Sequence, residues 1–131
     1  MPRSTIRLVV LHSRLERELL ALRRMLLRDG YRVLEAAHGG EALALWAAHR
    51  AEVDASVTDL RMPELGGRAL ATRLQAERPA LPTVLLSGHA SEALPATCAA
   101  HERFLEKPCA AEELAAALAA VLATRANAPP A

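Results

Sequence analysis

The sequence predicts an α/β domain: a five-stranded parallel sheet with helices on both faces. Three observations lead there. Five short apolar runs alternate with segments of helical period, a repeated β-then-α order that builds parallel sheets through crossover helices. The 131 residues suit one domain with one core. Hydrophobic residues make up 52% of the chain and aromatic residues only 2%, so that interior is built from Leu, Val and Ala.

The first strand is Ile6–Leu11 (IRLVVL). Ser13 and Glu16 follow at capping-box spacing, and Leu15, Leu19, Leu22 and Leu26 make one stripe of a helix that Gly30 closes as a C-cap does. Tyr31–Ala36 (YRVLEA) is the second strand, and Gly39-Gly40 starts a helix running to about Arg50. Val53–Thr58 (VDASVT) is the third strand, followed by a loop and a helix over Gly67–Glu77 that Arg78-Pro79 ends. Pro82–Ser87 (PTVLLS) is the fourth. The helix after it is short or displaced, because Pro95 falls inside Ala90–Ala100 and proline is tolerated only in a first turn. Arg103–Glu106 is a brief fifth strand. The last helix, Ala110–Ala123, carries Leu114, Leu118, Val121 and Leu122 on one stripe, with Glu112 and Glu113 in the first turn where the dipole favours acids. Residues 1–124 form the domain and 125–131 read as a frayed tail or linker.

Bulk properties exclude several classes. A net charge of +1 gives no electrostatic reason for a nucleic-acid or charged-membrane partner. No segment is long and apolar enough to span a bilayer, and the N-terminal run is too short, and too interrupted by Arg7, to be a signal peptide. Cys98 and Cys109 form no CxxC pair and read as reduced thiols of a cytoplasmic protein. No DNA-binding motif follows residue 123.

In open parallel sheets, ligands bind beyond the carboxyl ends of the strands. The residues there are Leu11-His12, Asp59, Ser87-Gly88 and Lys107-Pro108. With strand order 2-1-3-4-5, Asp59, Ser87 and Lys107 converge on one rim. A carboxylate can be a nucleophile toward a phosphoryl group, a lysine is a point charge suited to phosphate oxygens, and a serine hydroxyl can donate to one. Of 16 basic residues, 15 are arginine, and the single lysine is Lys107.

Val57-Thr-Asp-Leu-Arg-Met-Pro63, Leu85-Leu-Ser-Gly-His89, Phe104-Leu-Glu-Lys-Pro108, Asp29-Gly-Tyr-Arg-Val-Leu-Glu-Ala36 and Gly40-Glu-Ala-Leu43 occur in order and in register. By these pieces the chain resembles, over about residues 6 to 123, the receiver domains of bacterial two-component response regulators. The resemblance implies a flavodoxin-like (βα)5 fold. It implies that Asp59 accepts a phosphoryl group from a histidine kinase or phosphotransfer protein. Ser87 then matches the hydroxyl that turns toward the phosphate, and Lys107 the lysine that pairs with it. Phe104 matches the aromatic that rotates inward when the hydroxyl moves, and the backbone carbonyl of Arg61 matches a magnesium ligand. Any activity is limited to gaining and losing that phosphoryl group. Output passes to a downstream protein, usually through the face built from the helix before the fifth strand, that strand and the last helix, a face that also supports homodimers.

One position departs from the family. Its first strand ends in a pair of acids that help hold Mg²⁺, and here Leu11 and His12 stand in their place. Mg²⁺ prefers oxygen ligands and carboxylates, so Asp59 is left as the one acid and Mg²⁺ binding is expected to be weak or absent. Glu16 is the nearest spare acid, but the capping box already employs it. Relieved of two repelling neighbours and kept beside Lys107, Asp59 is expected to be ionised with a lowered pKa. Protonated His12, Arg61 and Arg14 are candidates to replace the metal as cations; His12 as a ligand for a softer metal lacks a second His or Cys at ligand spacing. Two other readings compete: a pseudo-receiver, never phosphorylated, that serves as a constitutive interaction module, and an aspartyl-phosphate hydrolase. The hydrolase ranks last, because it needs a second acid near the nucleophile and Arg61 stands two residues after Asp59.

Overall fold

The computed structural model describes residues 8–12, 16–59, 67–87, 101–106 and 110–127. Five strands, β1 (Leu8–His12), β2 (Arg32–Ala36), β3 (Val53–Asp59), β4 (Thr83–Ser87) and β5 (Glu102–Glu106), form one parallel sheet in the order β2-β1-β3-β4-β5. The described helices are α1 (Glu16–Arg28), α2 (Gly39–His49), α3 (Gly67–Glu77) and α4 (Ala111–Asn127). The helix expected between β4 and β5 lies outside the described residues, as do Ser13 of the expected capping box and both cysteines.

The predicted stripes become the packed faces. Leu22 and Leu26 of α1 and Leu114, Leu118, Val121 and Leu122 of α4 close over Ala55 and Val57 of β3 and Val84 and Leu86 of β4. On the other face, Ala42 and Trp46 of α2 and Leu70 and Leu74 of α3 gather with Ala36, Val53 and Leu81. Every residue of β3 and β4 is buried, as expected of strands covered on both faces, while the edge strands β2 and β5 are partly exposed.

Helix ends follow local chemistry. At the end of α1 the Tyr31 N–H donates to the Leu26 carbonyl at 3.0 Å and the Gly30 N–H to the Leu27 carbonyl at 3.1 Å. This is a Schellman closure, and it places Gly30 at φ 89°. At the start of α2, His38 is the N-cap: its Nδ1 accepts the Glu41 N–H at 3.2 Å, and Glu41 Oε1 accepts the Ala37 N–H at 2.7 Å. From the sequence, this start was expected at Gly39-Gly40 alone. The Glu three residues after His38 was the missed signal.

Two boundaries differ from expectation. The last helix continues to Asn127, four residues past Ala123, because Ala and Arg are strong helix formers and the first residue that cannot continue is Pro129. Asp59, expected just after its strand, is the last residue of β3, where ladder pairing with β4 overrides the poor strand propensity of aspartate.

Candidate functional site at the carboxyl edge of the sheet

The register of the ladder builds the rim. His12, the last residue of β1, lies beside Thr58 of β3, so Asp59 is the next step beyond it. Asp59 lies beside Leu86 of β4, and Ser87 is the next step beyond that. Ser87 in turn lies beside Glu106, and the chain continues from Glu106 into Lys107. Three neighbouring strands therefore end in Asp59, Ser87 and the residue that precedes Lys107. Asp59 and Ser87 are both almost fully buried, at 3% and 1% exposure. Lys107 and Arg61 lie outside the described residues.

Alternation along the strands sets the sheet face that Ser87 takes. Val84 and Leu86 point into the α1/α4 cluster, so Thr83, Leu85 and Ser87 take the opposite face. Thr83 accepts a hydrogen bond there from Gln75 of α3 at 3.4 Å. On β5, Glu102 bonds Gln75 and Arg68 of α3, which puts Glu102, Phe104 and Glu106 on that same face. Phe104 is half-buried beside Leu85, two residues short of Ser87. The hydroxyl and the aromatic singled out from the sequence thus share one face of neighbouring strands.

The metal seat is a different matter. At the carboxyl ends of β1 and β3, Asp59 is the one acid among the described residues; β1 ends in Leu11 and His12 and β3 in Thr58-Asp59. A hard divalent cation wants more oxygen than that. Of the acids on neighbouring elements, Glu35 of β2 pairs with Arg23 at 3.1 Å and Glu41 caps α2.

The sequence reading missed a polar seam beneath α3. Glu102 is 5% exposed and takes Arg68 at 3.1 Å and Gln75 at 2.9 Å on one carboxylate oxygen. Asp54, Ser56 and Thr83 are buried as well. No local signal marks this seam, because its members are brought together only by strand register and helix placement.

The comparisons with known proteins agree with this geometry. A family model described as the response regulator receiver domain matches residues 15–119. This chain belongs to the response regulator receiver domain family. It is 39% identical over 117 residues to the response regulator MprA of Mycolicibacterium vanbaalenii, covering 88% of this chain and 49% of that one. It is 37% identical over 94 residues to the sensor kinase CckA of Brucella abortus, covering 70% of this chain and 10% of the kinase. The crystal structure of a response regulator receiver protein from Sinorhizobium medicae superposes with a TM-score of 0.79 at 25% identity, covering 92% of this chain and 98% of the other. The receiver chain thus spans half or less of the length of these two curated relatives. It is a receiver domain of two-component signalling, with the flavodoxin-like fold of its structural neighbours. No helix among the described residues is long and apolar enough to cross a membrane.

Proposed function

We propose that this receiver domain accepts a phosphoryl group on Asp59 and that its metal seat is impaired. The single observation behind the first half is the register that sets Asp59 and Ser87, both buried, at the ends of adjacent strands, with Lys107 next in the chain after the residue beside Ser87. In transfer from a phosphohistidine, an Asp59 carboxylate oxygen attacks phosphorus. The P–N bond breaks and the imidazole leaves with its electron pair. Ser87 donates to a phosphoryl oxygen and Lys107 neutralises another. The Arg61 carbonyl and Asp59 are the ligands left for Mg²⁺, whose role in this family is to shield the incoming negative charge. With Leu11 and His12 at the tip of β1, that shielding is weak.

The donor is a histidine kinase or phosphotransfer protein and the receiver of the signal is another protein, through contacts that include Phe104 and β5. Homodimers through the face of β5 and α4 belong to the same reading, as does a cytoplasmic location. Neither nucleic acid nor membrane is a partner of this domain.

A second reading has one observation in its favour: the missing acids at Leu11 and His12 suit a pseudo-receiver that is never phosphorylated and acts as a fixed interaction module. Incubation with a small acyl-phosphate donor and Mg²⁺, followed by intact-mass measurement, separates the two. Gain of one phosphoryl group that vanishes in Asp59→Asn supports the phosphoacceptor. Absence of any adduct with Mg²⁺ or Mn²⁺ supports the pseudo-receiver.

A further inference from the structure

Local helix chemistry is inverted at the start of α3. Its first turn holds Arg68 and no acid, although the positive end of a helix dipole favours carboxylates there. The acid comes from another element. Glu102, the first residue of β5, is 5% exposed, and its Oε2 accepts Arg68 Nη1 at 3.1 Å. The same oxygen accepts Gln75 Nε2 at 2.9 Å, and Gln75 also reaches the Thr83 hydroxyl at 3.4 Å. Thr83 is the first residue of β4 and lies beside Glu102 in the ladder. A buried carboxylate paired with a half-exposed guanidinium is a weak source of stability. The seam therefore calls for a reason beyond packing.

Its members join the three segments that carry the rim. α3 is entered from segment 60–66, which follows Asp59. β4 runs from Thr83 to Ser87, and β5 from Glu102 to Glu106 with Lys107 next. The far ends of these five-residue strands lie roughly 13 Å from the seam. Apolar packing does not make the same connection. Leu70 and Leu74 of α3 gather with Ala36, Ala42, Trp46, Val53 and Leu81, and no residue of β5 belongs to that cluster.

We propose that Glu102 is a positioning residue for phosphoryl transfer at Asp59. It fixes where α3 begins relative to β5, and so where segment 60–66 returns relative to Lys107. Small displacements matter at that edge, because a misplacement on the order of 1 Å at reacting groups costs about a hundredfold in rate. Glu102 itself acts only through the elements it ties. The proposal rests on Asp59 being the acceptor.

The test is the initial rate of labelling of the full chain by acetyl phosphate and Mg²⁺, read by intact mass, together with amide shifts of the unlabelled protein. Glu102→Gln keeps the shape and loses the charge; it is expected to slow labelling about tenfold, and Arg68→Ala to slow it similarly. The double variant is expected to be no slower than the slower single one, since both remove one contact. Arg68→Lys is expected to recover most of the rate. Gly30→Ala, at the close of α1, lowers stability without touching the seam and is expected to label at the wild-type rate. The amides of Asp59, Ser87 and Lys107 are expected to shift in Glu102→Gln and to stay in place in Gly30→Ala. A wild-type rate in Glu102→Gln, equal slowing in Gly30→Ala, or rim amides that do not move overturns the proposal. Arg68→Ala, at an exposed side chain, carries the same test if Glu102→Gln fails to fold. No label on folded wild type sinks the acceptor reading instead; the shifts, taken without donor, still decide whether Glu102 positions the rim.

Discussion

The guanidinium of Arg78 lies over the ring of Trp46, 4.9 Å from its centroid. The same side chain donates to the carbonyls of Arg50 and Val53, tying the end of α3 to the end of α2 and the start of β3. Trp46 Nε1 donates to Glu77 at 3.1 Å, and Glu77 pairs with Arg50 at 2.7 Å. This clamp sits at the end of β3 opposite Asp59, roughly 20 Å along the strand. Trp46 therefore reports unfolding of the domain. Arg78→Ala is expected to destabilise the domain by about 2 kcal/mol, since it removes two charge-assisted bonds and a cation–π contact. Arg78→Lys recovers part of that. Urea unfolding followed by Trp46 emission measures both.

Glu102 anchors α3 to β5 through Arg68 and Gln75. Its carboxylate is buried, but Arg68 is half exposed, so solvent screens part of the attraction. Glu102→Ala is expected to cost about 1–2 kcal/mol, mostly from leaving Gln75 poorly satisfied. Arg68→Ala is expected to cost less than 1 kcal/mol, a value in the range of exposed pairs. A double-mutant cycle read by denaturant midpoints separates the two, and an Arg68→Ala loss as large as that of Glu102→Ala would contradict the assignment.

Ser56 lies in the middle of β3 at 1% exposure, and its hydroxyl finds no hydrogen-bond partner among the described residues. Thr83 stands opposite it in the ladder, but that hydroxyl donates to the Leu81 carbonyl at 2.9 Å. A buried hydroxyl without a partner opposes folding, so Ser56→Ala is expected to raise stability by about 1 kcal/mol. Thermal unfolding of the variant tests this; a lower midpoint would mean that the hydroxyl is satisfied.

Gly30 holds φ 89° at the close of α1, and an added Cβ would meet nothing within 4 Å. The cost of Gly30→Ala is then conformational alone, about 1 kcal/mol. Gly30→Asn, which tolerates the left-handed region better, is expected to lose less. Chemical denaturation of the pair checks the order.

The fold was legible because each level of the sequence pointed the same way. The Leu114, Leu118, Val121 and Leu122 stripe is the buried face of α4, Gly67–Glu77 is α3 as predicted, and all five strands appear within two residues of expectation, with the 2-1-3-4-5 order. The placement of Asp59 and Ser87 at the ends of neighbouring strands was legible for the same reason: strand ends are set by local pattern, and in a parallel sheet neighbouring ends share an edge. The polar seam of Glu102, Gln75 and Arg68 and the clamp of Arg78 were not, because they join residues 25 to 34 positions apart, or bond backbone carbonyls that carry no sequence signal. Asp59 was placed outside its strand because propensity sees the aspartate and not the Leu86 that pairs with it.

The most direct test of the rim is the Mg²⁺ dependence of Asp59 phosphorylation, measured as adduct formed per unit time over a Mg²⁺ titration in wild type and in the Leu11→Glu/His12→Asp variant. The account predicts slow labelling in wild type that saturates poorly with Mg²⁺. In the variant it predicts at least a ~10-fold lower half-saturating Mg²⁺ concentration, the scale expected when carboxylates join a cation's shell, with labelling lost in both on Asp59→Asn. Equal Mg²⁺ dependence in the two proteins would contradict it, because the tip of β1 would then not be the seat of the metal.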